Sequence, residues 1–309
     1  MQKINDYFDE NGIKIEKYIY KNGNRIIKTD TEKYEVKIKK SNTKEIHDYL
    51  RSKGFNNFVN IENDYNDPYE IYKYIDDDTD VKDKSINLVY LLSSLHNKTT
   101  TYQETNEDNI KNIYETITNK LEKISRYYYN LQDNIETKLY MSPAEYLLIR
   151  NISNIYNSIN NSKYYINDWY NIKKNIKKER IALLHNNISL DNFIDKKDKK
   201  FKNWEKAKKN YVVYDFYNFY KNNYKDLELN SLFDIYQSKY KYTEDELLLF
   251  KSLLFMPWII ELKENNYNNT VIVANLLEYL DKVKSFELEH NQENQKTNNK
   301  ELNEQNNNI

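Results

Sequence analysis

Apolar and polar residues alternate from Ile13 to Lys40, near the start of the chain. Tyr34, Val36 and Ile38 would lie on one face of an extended strand, because the side chains of a strand repeat every second residue. Asn22-Gly23 separates two of these runs and is a favourable sequence for a hairpin turn. The pattern therefore predicts a small antiparallel sheet.

Further along the chain, one helical pattern lies between two strand patterns, and from Ile110 onward helical patterns dominate. Thr43–Lys53 has apolar residues four apart and is followed by a glycine, as expected just past a helix end. Alternation returns at Tyr69–Ile75, but from Ile110 to Leu131 the apolar residues follow a helical spacing. Ser142–Glu145 and Thr243–Glu246 have the spacing of capping boxes at helix starts. These features predict a mostly helical second part of the chain.

The change of period defines the predicted domains. An acidic run over residues 76–80 follows the last strand pattern and is a candidate hinge. We expect an α+β fold, with a β-rich N-terminal lobe containing one helix over residues 1–78 and a helical C-terminal lobe over residues 79–286. Residues 287–309 contain almost no apolar side chain, which predicts a disordered tail.

The composition excludes several kinds of function. The 309-residue chain has 47 lysines and arginines against 48 acidic residues, so no global field favours nucleic acid or anionic membranes. It has no cysteine and only four histidines, which excludes disulfides, thiol nucleophiles and cysteine-bound zinc. No stretch has the length and apolarity of a signal peptide or a membrane span. We therefore expect a cytoplasmic protein that binds neither nucleic acid nor membranes.

The segment Leu183–Ile194 places polar residues between two apolar strand patterns. His185 and Asn192 resemble the two ends of the catalytic loop of aminoglycoside phosphotransferases and choline kinases, in which His-Gly/Asn-Asp is followed, after four residues, by Asn. This resemblance implies a protein-kinase-like fold of two lobes. In that family the aspartate of the motif accepts the proton of the substrate hydroxyl. Here Asn187 has that position, and an amide cannot act as a general base near neutral pH.

Two residues of this loop have a second interpretation. Asp191 is a candidate replacement for the missing base, provided that its carboxylate reaches the attacking hydroxyl. His185, at the end of an apolar strand, is as readily a structural histidine as a catalytic one.

A second stretch, Tyr211–Phe216, has the pattern of a short strand. It resembles the strand of the same family that ends in a metal-binding aspartate. The resemblance implies that Asp215 joins Asn192 in holding a magnesium ion on the phosphates of ATP.

The strand that includes Val36 resembles the family strand whose lysine contacts the α and β phosphates of ATP. Lys39 is the better match and Lys37 the second choice, and Glu45 on the following helix is the candidate partner of that lysine. The chain has only three glycines, so the usual Gly-rich phosphate loop is absent.

The expected function is that of a degenerate small-molecule phosphotransferase, similar to a pseudokinase, that still binds ATP and magnesium. Two alternatives stay open. One is an active kinase for a small-molecule hydroxyl substrate, in which positioning and charge stabilisation drive the transfer. The other is a non-enzymatic scaffold with a protein partner, similar to the kinase-like proteins of spore coats.

Overall fold

The computed structural model describes residues 2–21, 24–39, 43–63, 67–77, 79–263 and 265–306, and the predicted Asn22-Gly23 turn lies outside them. In chain order the elements are α1 (Gln2–Glu10), β1 (Ile15–Lys21), β2 (Asn24–Thr29), β3 (Lys33–Ile38), α2 (Thr43–Ser52), β4 (Tyr69–Lys73), α3 (Val81–Thr99), β5 (Thr101–Glu104), α4 (Glu107–Glu136), α5 (Pro143–Arg150), α6 (Ile152–Lys173), β6 (Lys178–Leu184), β7 (Phe193–Ile194), β8 (Lys200–Phe201), β9 (Lys208–Asn210), α7 (Val213–Asn223), α8 (Leu229–Lys239), α9 (Glu244–Phe255) and α10 (Asn266–Asn306).

The chain forms two compact units. The first consists of Met1–Thr101, Arg180–Phe219 and Ile235–Tyr240, and the second of Tyr102–Glu179, Tyr220–Asp234 and Lys241–Ile309. The predicted lobe boundaries and the tail over residues 287–309 stay predictions.

The first unit contains an antiparallel sheet of order β1-β2-β3-β4, as the alternation predicts. Tyr34 and Val36 of β3 are buried with Ile27 and with Phe8 of α1, so this face of the sheet covers an apolar core. Ile38, which the pattern places on the same face, is 79% exposed because it is the last residue of β3 and lies outside that core cluster.

Two helices of this unit have a recognisable local signal at one end. After α2 the chain turns at Gly54, whose φ of +69° is a left-handed conformation that glycine adopts without steric cost. The α3 helix is capped by Asp80, whose side chain accepts a hydrogen bond of 2.9 Å from the Lys82 backbone N–H. One end of the acidic run is thus a helix cap.

The polar segment after β6 includes two further antiparallel strand pairs of the first unit. The β6 strand pairs with β9, and β7 pairs with β8. The strand predicted over Tyr211–Phe216 is wrong, because α7 begins at Val213. Val212, Phe216 and Phe219 are all fully buried at helical spacing, and this longer pattern outweighs the local β-propensity of the preceding residues.

The second unit is helical, with α6 packed against α4 and α9, and α10 packed against α5. Its largest fully buried side chains include Tyr128, Trp169 and Tyr279. The Lys173 ammonium is buried 2.8 Å from the Asp245 carboxylate and 3.6 Å from that of Glu179.

Two helices of this unit, α5 and α10, bear on the sequence predictions. The predicted capping box is present at α5, where Ser142 and Glu145 each accept a hydrogen bond from the other's backbone N–H. The α10 backbone is helical to Asn306, through most of the segment whose composition predicts disorder. None of the helices in the described part of the chain is long and apolar enough to span a membrane.

Candidate functional site

The loop that follows β6 begins at His185, whose side chain is fully buried. Its Nε2 lies 2.9 Å from the Lys202 carbonyl oxygen, and its ring packs 4.6 Å from that of Trp204. Burial lowers the pKa of His185, which keeps the imidazole neutral, so Nε2 donates the hydrogen bond to the carbonyl. Both contacts are with the backbone or core of the protein itself, as the structural interpretation of His185 predicts.

Asp215 binds the backbone of the same loop. Its two carboxylate oxygens accept hydrogen bonds of 2.7 Å from the His185 N–H and 2.8 Å from the Asn186 N–H. A third contact joins the carboxylate to the buried Nε2 of His96, at 3.3 Å. Asn186 has a φ of 55°, a left-handed conformation that asparagine tolerates better than most residues, and Asp215 stabilises this turn.

The contacts of Asp215 are thus with the loop backbone and His96, and none of them is with Asn192, the other residue of the predicted metal pair. Asp215 is 1% exposed in the first turn of α7, and its oxygens are used by the loop backbone. The side chain beside Asn192 is instead Asn203, whose Nδ2 donates a hydrogen bond of 2.5 Å to Asn192 Oδ1. Asn203 has a φ of 69°, another left-handed conformation.

A chain of hydrogen bonds runs through these amides. Lys37 Nζ donates to Asn203 Oδ1, Asn203 Nδ2 donates to Asn192 Oδ1, and Asn192 Nδ2 donates 2.7 Å to the Asn187 carbonyl oxygen. We call these four residues the amide chain. Every amide group in it is neutral, and its one charge is the ammonium at its end.

Lys37, the second choice of the sequence analysis, is the lysine that reaches Asn203. It lies on the face of β3 opposite the apolar core, together with Glu35, whose carboxylate is 3.4 Å from the ammonium. Lys39 lies past the end of β3, where its backbone N–H donates to Pro68. The acidic partner of Lys37 is thus Glu35 rather than Glu45, which is exposed in the first turn of α2.

The two candidate bases of the loop differ in position. Asn187 is half-buried, and its backbone carbonyl ends the amide chain. Asp191 lies in a short 3₁₀ turn over Leu190–Asn192 and is exposed. Asp191 is also one of the residues that line the cavity described in the next paragraph. If Asp191 replaces the missing base, the attacking hydroxyl must therefore lie in that cavity.

A cavity of about 330 Å³ lies next to the amide chain within the first unit. Asn192 and Asn203 line it together with Lys202 and with the ion pair of Lys84 and Asp77, whose charged atoms are 2.8 Å apart. Burial alone would raise the pKa of Asp77, but hydrogen bonds from the Asp195 backbone, Lys84 and Thr79 outweigh it and hold that pKa well below its usual range.

The residues present do not fit a magnesium ion held by Asn192 and Asp215. Magnesium in proteins is bound through one or two carboxylates, whereas the group facing Asn192 is an amide that points a hydrogen-bond donor at it. Within residues that the structure describes, no group of three or more histidine, aspartate or glutamate side chains could hold a metal ion. We therefore assign no step to a metal here.

Sequence reasoning missed Asn203 and Lys202. Their only local signal is the buried Phe201 at the end of the two-residue strand β8, immediately before them. In a chain this rich in asparagine and lysine, neither residue stands out, and the spacing to Asn192 depends on the length of the β7–β8 turn.

The comparison with solved structures identifies the fold. An aminoglycoside phosphotransferase from Alicyclobacillus acidocaldarius matches with a TM-score of 0.68 and 10% identity, over 90% of this chain and 92% of that one. A spectinomycin phosphotransferase solved with ADP and spectinomycin matches with a TM-score of 0.47 and 13% identity, over 93% of each chain. A choline kinase from Streptococcus pneumoniae matches with a TM-score of 0.43 and 13% identity, over 92% of this chain and 89% of that one.

The likeness to the Alicyclobacillus structure confirms the protein-kinase-like α+β fold that the loop motif implies. Neither a family model nor a curated protein sequence matches this chain.

Proposed function

We propose that this protein is a degenerate small-molecule phosphotransferase, which binds a nucleotide in the cavity beside Asn192 and Asn203 but transfers phosphoryl groups poorly. The observation that supports the proposal is the amide chain. In the predicted mechanism, carboxylates accept the hydroxyl proton and hold the metal. Here the sequence has Asn187 at the base position of the loop motif, and the side chain hydrogen-bonded to Asn192 is the amide of Asn203. A cytoplasmic location and an unidentified hydroxyl substrate belong to the same proposal.

The cavity supports binding rather than turnover. Its volume of about 330 Å³ lies within the usual range for small-molecule pockets, and apolar side chains of Ile26, Ile75 and Ile194 line it beside the polar groups. Of the three acidic residues that line the cavity, Glu35 pairs with Lys37 and Asp77 with Lys84, whereas Asp191 is exposed to solvent. Loss of a general base typically lowers a rate by about 10²–10⁴-fold.

The test combines binding with a gain of function. Calorimetric titration with ATP and ADP measures binding, and radiolabelled ATP with a panel of small hydroxyl compounds measures transfer. We expect binding without measurable transfer by the natural chain. The double substitution Asn187→Asp and Asn203→Asp should then raise magnesium-dependent ATP turnover by about 10²-fold or more, since it returns a base and a metal ligand.

Asn160→Asp is the control for the added charge, because Asn160 is exposed on α6. Rapid transfer by the natural chain would replace this proposal with the active-kinase alternative. No binding at millimolar nucleotide would refute it and leave the protein-binding scaffold.

A further inference from the structure

Lys202 is fixed in place by the backbone of the catalytic-like loop. Its N–H donates 2.9 Å to the Asn192 carbonyl, and its own carbonyl accepts the hydrogen bond from His185. The preceding residue, Phe201, is fully buried against the His185 and Trp204 rings. Lys202 follows Phe201 directly past the end of β8, and it lines the cavity.

Lys202 is half-buried, and its ammonium has no hydrogen bond or ion pair with any residue that the structure describes. The other cations near it are already matched, since Lys37 pairs with Glu35 and Lys84 with Asp77. A cation that loses part of its hydration without gaining an acceptor is unfavourable. An anionic ligand in the cavity would supply that acceptor.

The charged groups around Lys202 come from several elements. Glu35 on β3 and Asp191 in the 3₁₀ turn attract the ammonium, while Lys37 and Lys84 repel it. Glu35 is engaged by Lys37, and Asp191 is exposed to solvent, where water and salt screen its charge. The positive charge of Lys202 is thus the least compensated one in the cavity.

Lys202 immediately precedes Asn203, the residue whose side chain is hydrogen-bonded to Asn192. Lys37 donates a hydrogen bond to the same Asn203 side chain. A second small cavity adjoins the first, and Lys37 and Lys202 both line it. Two lysines therefore line the cavity beside Asn203, where an amide stands next to Asn192 and no carboxylate does.

From this geometry we infer that Lys202 and Lys37 bind the phosphate groups of a nucleoside di- or triphosphate without a divalent cation. The inference rests on the proposed function, because it specifies how the same cavity holds its nucleotide. The apolar side chains around the cavity suit the base, and the two ammonium groups replace the charge that magnesium would bring to the phosphates.

The test is calorimetric titration of the full chain with adenosine, ADP and ATP, each in EDTA and in excess magnesium. We expect ATP and ADP to bind in EDTA, adenosine to bind at least about ten-fold more weakly, and magnesium to give no gain in affinity. Lys202→Met should weaken ATP binding in EDTA about ten-fold or more and leave adenosine binding unchanged. Lys202→Arg should retain most of the ATP affinity because it keeps the charge.

Lys197→Met is the matched control, since Lys197 is exposed in the β7–β8 turn and should change ATP affinity less than about two-fold. Thermal unfolding of Lys202→Met checks that the variant is folded, and Lys37→Met provides a second, independent variant. Nucleotide binding that requires magnesium, or that survives Lys202→Met, would overturn the inference and leave the proposed function standing. If neither nucleotide binds, both fail.

Discussion

Replacing Asp215 by asparagine is the most direct test of the role that the structure gives this residue. The substitution keeps the size of the side chain but turns one carboxylate oxygen into a hydrogen-bond donor. Each oxygen of Asp215 accepts a backbone N–H, from His185 at 2.7 Å and from Asn186 at 2.8 Å. One of these N–H groups, either that of the fully buried His185 or that of the half-buried Asn186, would then face another donor.

The magnitude follows from those two contacts. A hydrogen bond to a charged group contributes about 1.5–3 kcal/mol, and a buried donor without an acceptor costs about 1–3 kcal/mol. Weakening one bond and losing the other should therefore destabilise the first unit by roughly 3–5 kcal/mol. Asp198→Asn, at an exposed position in the β7–β8 turn, should change stability by less than about 0.5 kcal/mol.

Native-state hydrogen exchange measures this effect at the atoms concerned. The amide hydrogens of His185 and Asn186 should exchange much faster in Asp215→Asn, and the thermal unfolding midpoint should fall. Unchanged exchange at both amides would refute the anchoring role. Loss of magnesium binding in a variant of unchanged stability would point back to Asp215 as a metal ligand.

Two other predictions concern buried ionisable side chains. Lys173→Met should destabilise the second unit by about 3–5 kcal/mol, because it leaves the carboxylates of Asp245 and Glu179 buried without their cation. Thermal unfolding measures this loss of stability. Lys174→Met is the control, because Lys174 is exposed, and it should leave the stability nearly unchanged. Burial lowers the pKa of His47 to about 4, so the unfolded chain binds this proton more readily than the folded one between pH 4 and 6.5. The stabilisation is complete above pH 6.5 and is lost as the pH falls through that window, by at most about 3 kcal/mol, and His47→Phe should lack this part of the pH dependence in urea unfolding. Equal pH slopes for the two proteins would contradict the prediction.

The sequence allows the fold class to be predicted because periodicity reports burial directly. Tyr34 and Val36 alternate with Glu35 and Lys37, and this alternation separates the core face of β3 from the face toward Asn203. The loop motif also indicates the fold, because the spacing of His185 and Asn192 and the apolar residues on both sides of the motif can be read directly from the sequence.

The candidate site is less accessible to sequence reasoning because its geometry depends on contacts between distant segments. Asp215 follows four apolar or aromatic residues, which suits a strand, but its role depends on the helix that carries it toward His185. In sequence Lys39 is the better match to the family strand and Lys37 the second choice, and the end of β3 at Ile38 lies between them. The position of Asn203 is set by the β7–β8 turn, whose length no local pattern predicts.

The amide chain also has a genetic consequence. Aspartate and asparagine codons differ only in their first base, where guanine replaces adenine, so Asn187 and Asn203 are each a single transition away from a carboxylate. The left-handed backbone at Asn203 is compatible with aspartate, which tolerates that conformation nearly as well. Two base changes would therefore convert both amides into carboxylates. A selection that rewards phosphorylation could reach the carboxylate form of this site through those two changes alone.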